Sequence, residues 1–360
     1  MFGGRRYVWF RTIRRTPMDK TLTRRLFAAG LAAPLVGCTT LGADALSETV
    51  QVNLTRSSLP PPPPAVVAEG DGSLRSGIDA VRRMTVEAMI NETGPYSFVV
   101  DTGANRTVLA AEIADQLGLQ SSGQMAVHGI AGVLPAYRVD VRRLDVGEVV
   151  SRRVRMPVLP RRYLGADGLL GVDVLARRRA TLDFAGQSFH VTGPGAQAVG
   201  TRTQSGEGTS LSEIVVPARQ RFGQLTIVDA ELGGVPLTAF LDSGAEITVG
   251  NSVLRNQVLS RPGLVGGGLS RIELVSATGQ LVAGELAVVP PLRLGGVRLG
   301  NLSCVFADLH TFALWQLTDR PAMLIGVDVM RHFDSIELDF SRSKVSFRSR
   351  RFNRSLSIGS

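Results

Sequence analysis

Ser97-Phe98-Val99-Val100-Asp101-Thr102-Gly103-Ala104 is matched by Thr238-Ala239-Phe240-Leu241-Asp242-Ser243-Gly244-Ala245. Each is an apolar strand that runs into Asp-(Thr/Ser)-Gly-Ala. An alternating stretch and a turn precede each copy: Met84 to Ile90 then Asn91 to Pro95, and Leu225 to Leu232 then Gly233 to Pro236. Downstream, Leu169-Leu170-Gly171-Val172-Asp173-Val174-Leu175 matches Leu324-Ile325-Gly326-Val327-Asp328-Val329-Met330, and Ala180 to Phe184 matches Ile336 to Phe340. Four features in the same order make this an internal duplication. The two aspartates then fall at equivalent places, so a pseudo-twofold axis would bring one carboxylate from each copy to a shared site.

Length and composition fit two such units. The chain has 360 residues, 44% of them hydrophobic and 20% charged, which is the balance of a core-forming protein and excludes collagen, coiled coil and wholesale disorder. A Gly, Ser, Thr and Gln-rich stretch over 193–212 separates the copies. We read the order as signal segment 1–37, Pro-rich tether 38–75, first lobe 76–192, linker 193–212, second lobe 213–350 and tail 351–360. The five prolines Pro60 to Pro64 favour a polyproline II spacer within the tether.

The formal charge of +9 would suit a polyanion partner if it were spread over the chain. Residues 1–37 instead hold eight cations against the single Asp19, so seven of the nine charges belong to that segment. There, Leu26 to Val36 forms an apolar run of about 11 residues, too short to span a bilayer and right for a signal core. Thr23-Arg24-Arg25-Leu26-Phe27 resembles a twin-arginine export signal. Leu35-Val36-Gly37-Cys38 resembles a bacterial lipobox, whose cysteine is lipid-modified. An ordinary signal peptide cleaved near Ala43 or Ala45 is the alternative, and Met18 is an alternative start. The expected location is the cell envelope, exported to the periplasm and held through Cys38.

With Cys38 acylated, Cys304 alone remains, so no disulfide framework is expected, and Cys304 reads as a buried, inert thiol. No cysteine cluster or close His pair suggests a metal, and no cofactor is expected. Basic stretches without interleaved aromatics argue against nucleic acid. Arg152-Arg153-Val154-Arg155 and Arg177-Arg178-Arg179 read as solvated faces. His128, His190, His310 and His332 are scattered and read as surface or packing residues.

On the paired Asp-Thr/Ser-Gly-Ala loops and their apolar-apolar-Gly partners, residues 76–350 resemble a bacterial retropepsin-like aspartic protease with two lobes fused in one chain. The resemblance implies an all-β acid-protease fold, with two related six- or seven-stranded barrel-like lobes, one short helix in each and a cleft between them. It also implies a catalytic pair, Asp101 and Asp242. Thr102 and Ser243 would cross-bond the two loops, and Gly103, Ala104, Gly244 and Ala245 would complete their support. Two carboxylates about 3 Å apart cannot both ionise, so they share a proton and serve as base and acid for an attacking water. Gly103 and Gly244 suit loops packed too closely for a Cβ. Ala104 and Ala245 stand where pepsin-like enzymes carry a hydroxyl that lowers the pair's pKa values, so a mildly acidic optimum of about pH 5 to 6 follows.

A family flap is expected at Val127 to Val133, with His128, Gly129 and Ile130 at its tip, opposite Val275 to Leu281 with Thr278 and Gly279. Asp173 and Asp328 read as helix caps. The partner expected is a protein or peptide substrate, with a membrane contact through the anchor, and the chain is expected as a monomer with pseudo-twofold symmetry. A catalytically inactive peptide-binding lipoprotein of the same fold is the competing reading.

Overall fold

The computed structural model describes residues 49–51, 74–75, 77–78, 83–192, 212–221, 224–261 and 266–349. The signal segment, Cys38, Pro60 to Pro64, most of the linker and the tail lie outside the described residues.

Both lobes are β-structures, as the duplication requires. In the first, six strands close into a barrel in the order Gly132–Val146, Val149–Leu159, Val108–Ala110, Gly168–Leu170, Thr93–Val100 and Met84–Ile90. Met89 and Ile90 close the ring by pairing with Asp145 and Leu144. The second lobe repeats the plan as a curled sheet, with Gln224–Leu232 and Val235–Leu241 in place of the first hairpin. Where the first lobe runs one long strand, Gly132–Val146, Pro290 and Pro291 split the second into Leu281–Val289 and Leu292–Leu294. A proline gives no N–H to a ladder, so the strand breaks there. Gly168–Leu170 and Ala322–Ile325 are buried at every position. That is why they read as unbroken apolar runs rather than alternating ones.

Two expectations need correction. Each lobe carries three short helices, not one: Ala111–Gln116, Arg161–Leu164 and Val172–Leu175, then Ser252–Leu259, His310–Leu314 and Val327–Met330. Only Ser252–Leu259 spans two turns, and Asn251 caps it by accepting the Leu254 N–H at 2.9 Å. The others are too short to leave a helical period in the sequence. The expected tether also contributes strands, because Thr49–Gln51 pairs in parallel with Ala126–His128 and Leu74–Arg75 pairs with Ser188 and Phe189. The proline run spoke only for its own five residues.

The lobes are joined by a sheet that neither could make alone. Arg179–Asp183 of the first lobe runs antiparallel to Ser335–Asp339 of the second, with Ala180 opposite Leu338 and Leu182 opposite Ile336, all four buried. Ser188–Thr192 flanks one side, and Lys344–Ser349 followed by Ser212–Arg221 flanks the other. Arg179 is not a solvated residue. Its half-sequestered guanidinium bridges Glu337 at 3.2 Å and Asp339 at 3.6 Å in the other lobe. Because this seam fixes one lobe against the other, Leu338→Ala should cost about 2–5 kcal/mol in unfolding free energy, measured by denaturant titration of the full chain. A loss below about 1 kcal/mol would show that the seam carries little of the stability.

Candidate active site

Each Asp-Thr/Ser-Gly loop is fixed first by the apolar strand beside it. The Asp101 N–H donates to Leu170 O at 3.0 Å, and the Asp242 N–H donates to Ile325 O at 2.9 Å. On the far side of each loop, Val172 N–H donates to Ala104 O and Val327 N–H to Ala245 O, both at 2.8 Å. Asp173 and Asp328 each accept a first-turn amide of their helix, from Val174 at 3.0 Å and Val329 at 2.9 Å, but they also brace the loops. Each accepts the hydroxyl of a threonine six residues after the loop aspartate, Thr107 or Thr248, at 2.7 Å, and the backbone N–H of that threonine as well. Those hydroxyls in turn accept the Gly171 and Gly326 amides at 3.1 and 3.0 Å. The helix N-caps are the two glycines themselves, with no side-chain cap.

The loops then meet across the axis. Thr102 Oγ1 donates to Leu241 O at 2.8 Å and accepts the Ser243 N–H at 3.0 Å; Ser243 Oγ donates to Val100 O at 2.7 Å and accepts the Thr102 N–H at 3.1 Å. The hydroxyl and the backbone N–H of each have partners in the other lobe, as buried polar groups require. The loops lie so close that a Cβ on Gly103 would overlap the Asp242 carboxylate, and one on Gly244 would overlap that of Asp101. Only glycine fits.

Asp101 and Asp242 lie side by side across the axis, each packed against the other loop's glycine, at 0% and 1% exposure. Gly103 N–H donates to Asp101 Oδ1 at 2.9 Å, and the Gly244 and Ala245 amides donate to Asp242 Oδ1 at 3.0 and 3.2 Å. The Oδ2 atoms receive no donor from the fixed polar groups described, so one proton placed between the carboxyls is what satisfies them. Burial pushes Asp101 up to about 7, partly offset by the charge of Arg83 and the loop amides. Burial, reinforced by the charge of Asp101, raises Asp242 well above the ordinary carboxylate range. Two buried acids that titrate together are the arrangement that lets one serve as base while the other stays an acid.

A family model described as aspartyl protease matches residues 86–174 and 228–329. The chain belongs to the retropepsin-like aspartyl protease family. No curated protein matches it. The two matched segments each contain one loop aspartate, run through its apolar-Gly strand and end within the short helix that follows, which is the duplicated unit of this protease fold.

Two hairpin tips, one from each lobe, come together. One joins Ser121–Gly129 to Gly132–Val146, and the other joins Gly266–Val275 to Leu281–Val289 through Ser276 to Gln280. Gly129 lies flush against Ser276 and Thr278, and Gly279 lies flush against the ring of Tyr163. Ile130 is fully buried in an apolar cluster with Ala245, Phe240, Leu274, Phe312 and Trp315, and its carbonyl accepts the His310 N–H at 2.7 Å. His128 and His310 are not scattered, since Nδ1 of the first lies 3.0 Å from Nε2 of the second. Burial, then the neighbouring His310, lowers the pKa of His128, which keeps the neutral ring that an N–H···N bond needs.

Two residues at the floor were not singled out from the sequence. Buried Arg83 donates to Gly244 O at 3.5 Å and Leu164 O at 2.8 Å, and buried Gln224 donates through Nε2 to Gly103 O. Each stands 18 residues before its loop aspartate, so they are one position of the duplication.

A carboxyl with a raised folded pKa binds more protons folded than unfolded. Its contribution to stability is complete only below the unfolded value near 3.8 and is lost as pH rises. Asp242→Asn keeps the shape and removes the titration, so it should raise Tm at pH 7 by more than it does at pH 4. Equal effects at both pH values would contradict a strongly raised Asp242.

Proposed function

We propose that this aspartyl protease is an endopeptidase in which Asp101 and Asp242 form the catalytic dyad and water is the nucleophile. The observation that carries the reading is the pair of buried carboxyls, each packed on the other loop's glycine, with its Oδ1 bound by its own loop and its Oδ2 without a fixed donor. The ionised member takes a proton from water as the water oxygen attacks the scissile carbonyl carbon. The protonated member hydrogen-bonds and then protonates the carbonyl oxygen, giving a neutral gem-diol. The dyad's proton passes to the amide nitrogen, the C–N bond breaks to release the amine, and a gem-diol hydroxyl proton returns to the dyad as the carboxylic acid product forms, so the dyad again holds one proton. No covalent intermediate with the protein is formed.

Thr102 and Ser243 support this chemistry by fixing the separation of the loops; Ala104 and Ala245 lend backbone amides but no hydroxyl. The substrate would lie as an added strand between the dyad and the hairpin tips carrying His128, Gly129, Ile130, Thr278 and Gly279. Both aspartates are buried, so in this reading the tips part to admit it. The substrate class we propose is protein of the bacterial envelope, on the strength of the export-like segment 1–37 and the lipobox-like Cys38. Metabolic labelling with a radiolabelled fatty acid should mark the wild-type chain and leave Cys38→Ser unlabelled; equal labelling would remove the anchor.

The full chain should cleave a denatured protein or a peptide library internally, with a maximum at or above about pH 5 because both carboxyls titrate high. Asp101→Asn and Asp242→Asn should each lower kcat/KM by at least about a thousandfold, the scale for removing one member of an interdependent catalytic unit. Cleavage that survives either change overturns the dyad. A wild type that binds peptides saturably but never cuts favours the peptide-binding reading.

A further inference from the structure

Arg83 and Gln224 occupy one position of the duplication and make one kind of contact. Arg83 directly precedes Met84–Ile90 and Gln224 begins Gln224–Leu232, the equivalent hairpin strands, and each reaches across the axis and donates to the carbonyl of the opposite loop's glycine. Those glycines are the residues against which the carboxylates pack: Gly244 against Asp101 and Gly103 against Asp242. A guanidinium therefore stands behind Asp101 where a neutral amide stands behind Asp242. The cross-bonded hydroxyls, the loop amides and the apolar strands are nearly symmetric about the pair, while further along the loops buried Glu246 stands where the first lobe has Asn105, and Arg106 where the second has Ile247.

Resting on the dyad reading above, we propose that Arg83 is a positioning residue that makes the two aspartates inequivalent, holding Asp101 as the ionised base and leaving the shared proton on Asp242 as the acid. Arginine suits this place because its charge survives burial where a lysine's would be lost more readily. Arg83 is 0% exposed, so little water screens its charge from the carboxylate one residue away. The charged groups that act on Asp101 are Arg83, which favours its anion, and Asp242. The group that acts on Asp242 is Asp101, which disfavours a second anion. In the reaction, Asp101 accepts the proton of water, and Asp242 gives its own to the carbonyl oxygen.

The experiment has two readouts on the full chain. In the first, kcat/KM is followed against pH for wild type, Arg83→Gln, Arg83→Lys and Gln224→Arg. Arg83→Gln makes the floor symmetric and should move the acidic limb up by about one pH unit, so that the loss near pH 5 is about tenfold greater than at the maximum. Arg83→Lys should restore much of the limb, and Gln224→Arg should move it down. A loss by the same factor at every pH would make Arg83 a purely structural residue, and an unmoved limb in Gln224→Arg would overturn the proposal even if Arg83→Gln fails to fold.

The second readout needs no turnover. In 13C-aspartate-labelled chain, with Asp101 and Asp242 assigned from their Asn variants, Asp101 should ionise first in wild type and lose that lead in Arg83→Gln or reverse it in Gln224→Arg. Asp242 ionising first in wild type would overturn the proposal. An inert wild type with Asp101 ionising first would leave this inference standing and remove only the proposed peptidase activity.

Discussion

Two hydroxyls cross the pseudo-twofold axis, and the geometry of the site depends on them. Thr102 and Ser243 each give a hydrogen bond to the other lobe's backbone and take one back, so neither loop can shift without leaving buried polar groups unsatisfied. The consequence is a separation too small for any side chain but glycine's at 103 and 244. Two carboxyls are thereby forced together out of water, and their shared proton follows from electrostatics rather than from any special chemistry. The inter-lobe seam of Arg179–Asp183 with Ser335–Asp339 holds the same axis from the other end.

The duplication was legible because strands, turns and an apolar-Gly signal recur in order, and strand periodicity is a local property. The repeated threonine six residues after each aspartate was equally visible in Asp-Thr-Gly-Ala-Asn-Arg-Thr and Asp-Ser-Gly-Ala-Glu-Ile-Thr. Its role was not, because Asp173 and Asp328 looked like helix caps until their partners were in view. Alternation marks Ala180 to Phe184 and Ile336 to Phe340 as strands but does not say that the two equivalents pair with each other. Arg83 and Gln224 share a position but not a chemical type, and their function is made by contact across 161 and 121 residues of chain. No local pattern carries such information.

The hairpin tips show the same limit. Glycine-rich turns were readable at Gly129 and Gly279, whereas the meeting of His128 with His310 and the burial of Ile130 in the other lobe's apolar cluster arise only from closure. Both loop aspartates are likewise buried, and out of water charge interactions are strong.

The measurement that bears most directly on this picture is neutron diffraction from crystals of the protein exchanged into heavy water at about pH 6, which locates hydrogen isotopes on the carboxyls. A single deuteron between Asp101 and Asp242, bonded to Asp242 and directed at Asp101, is what the structure predicts. Two fully ionised carboxylates, or a separate deuteron on each with no hydrogen bond between them, would contradict it.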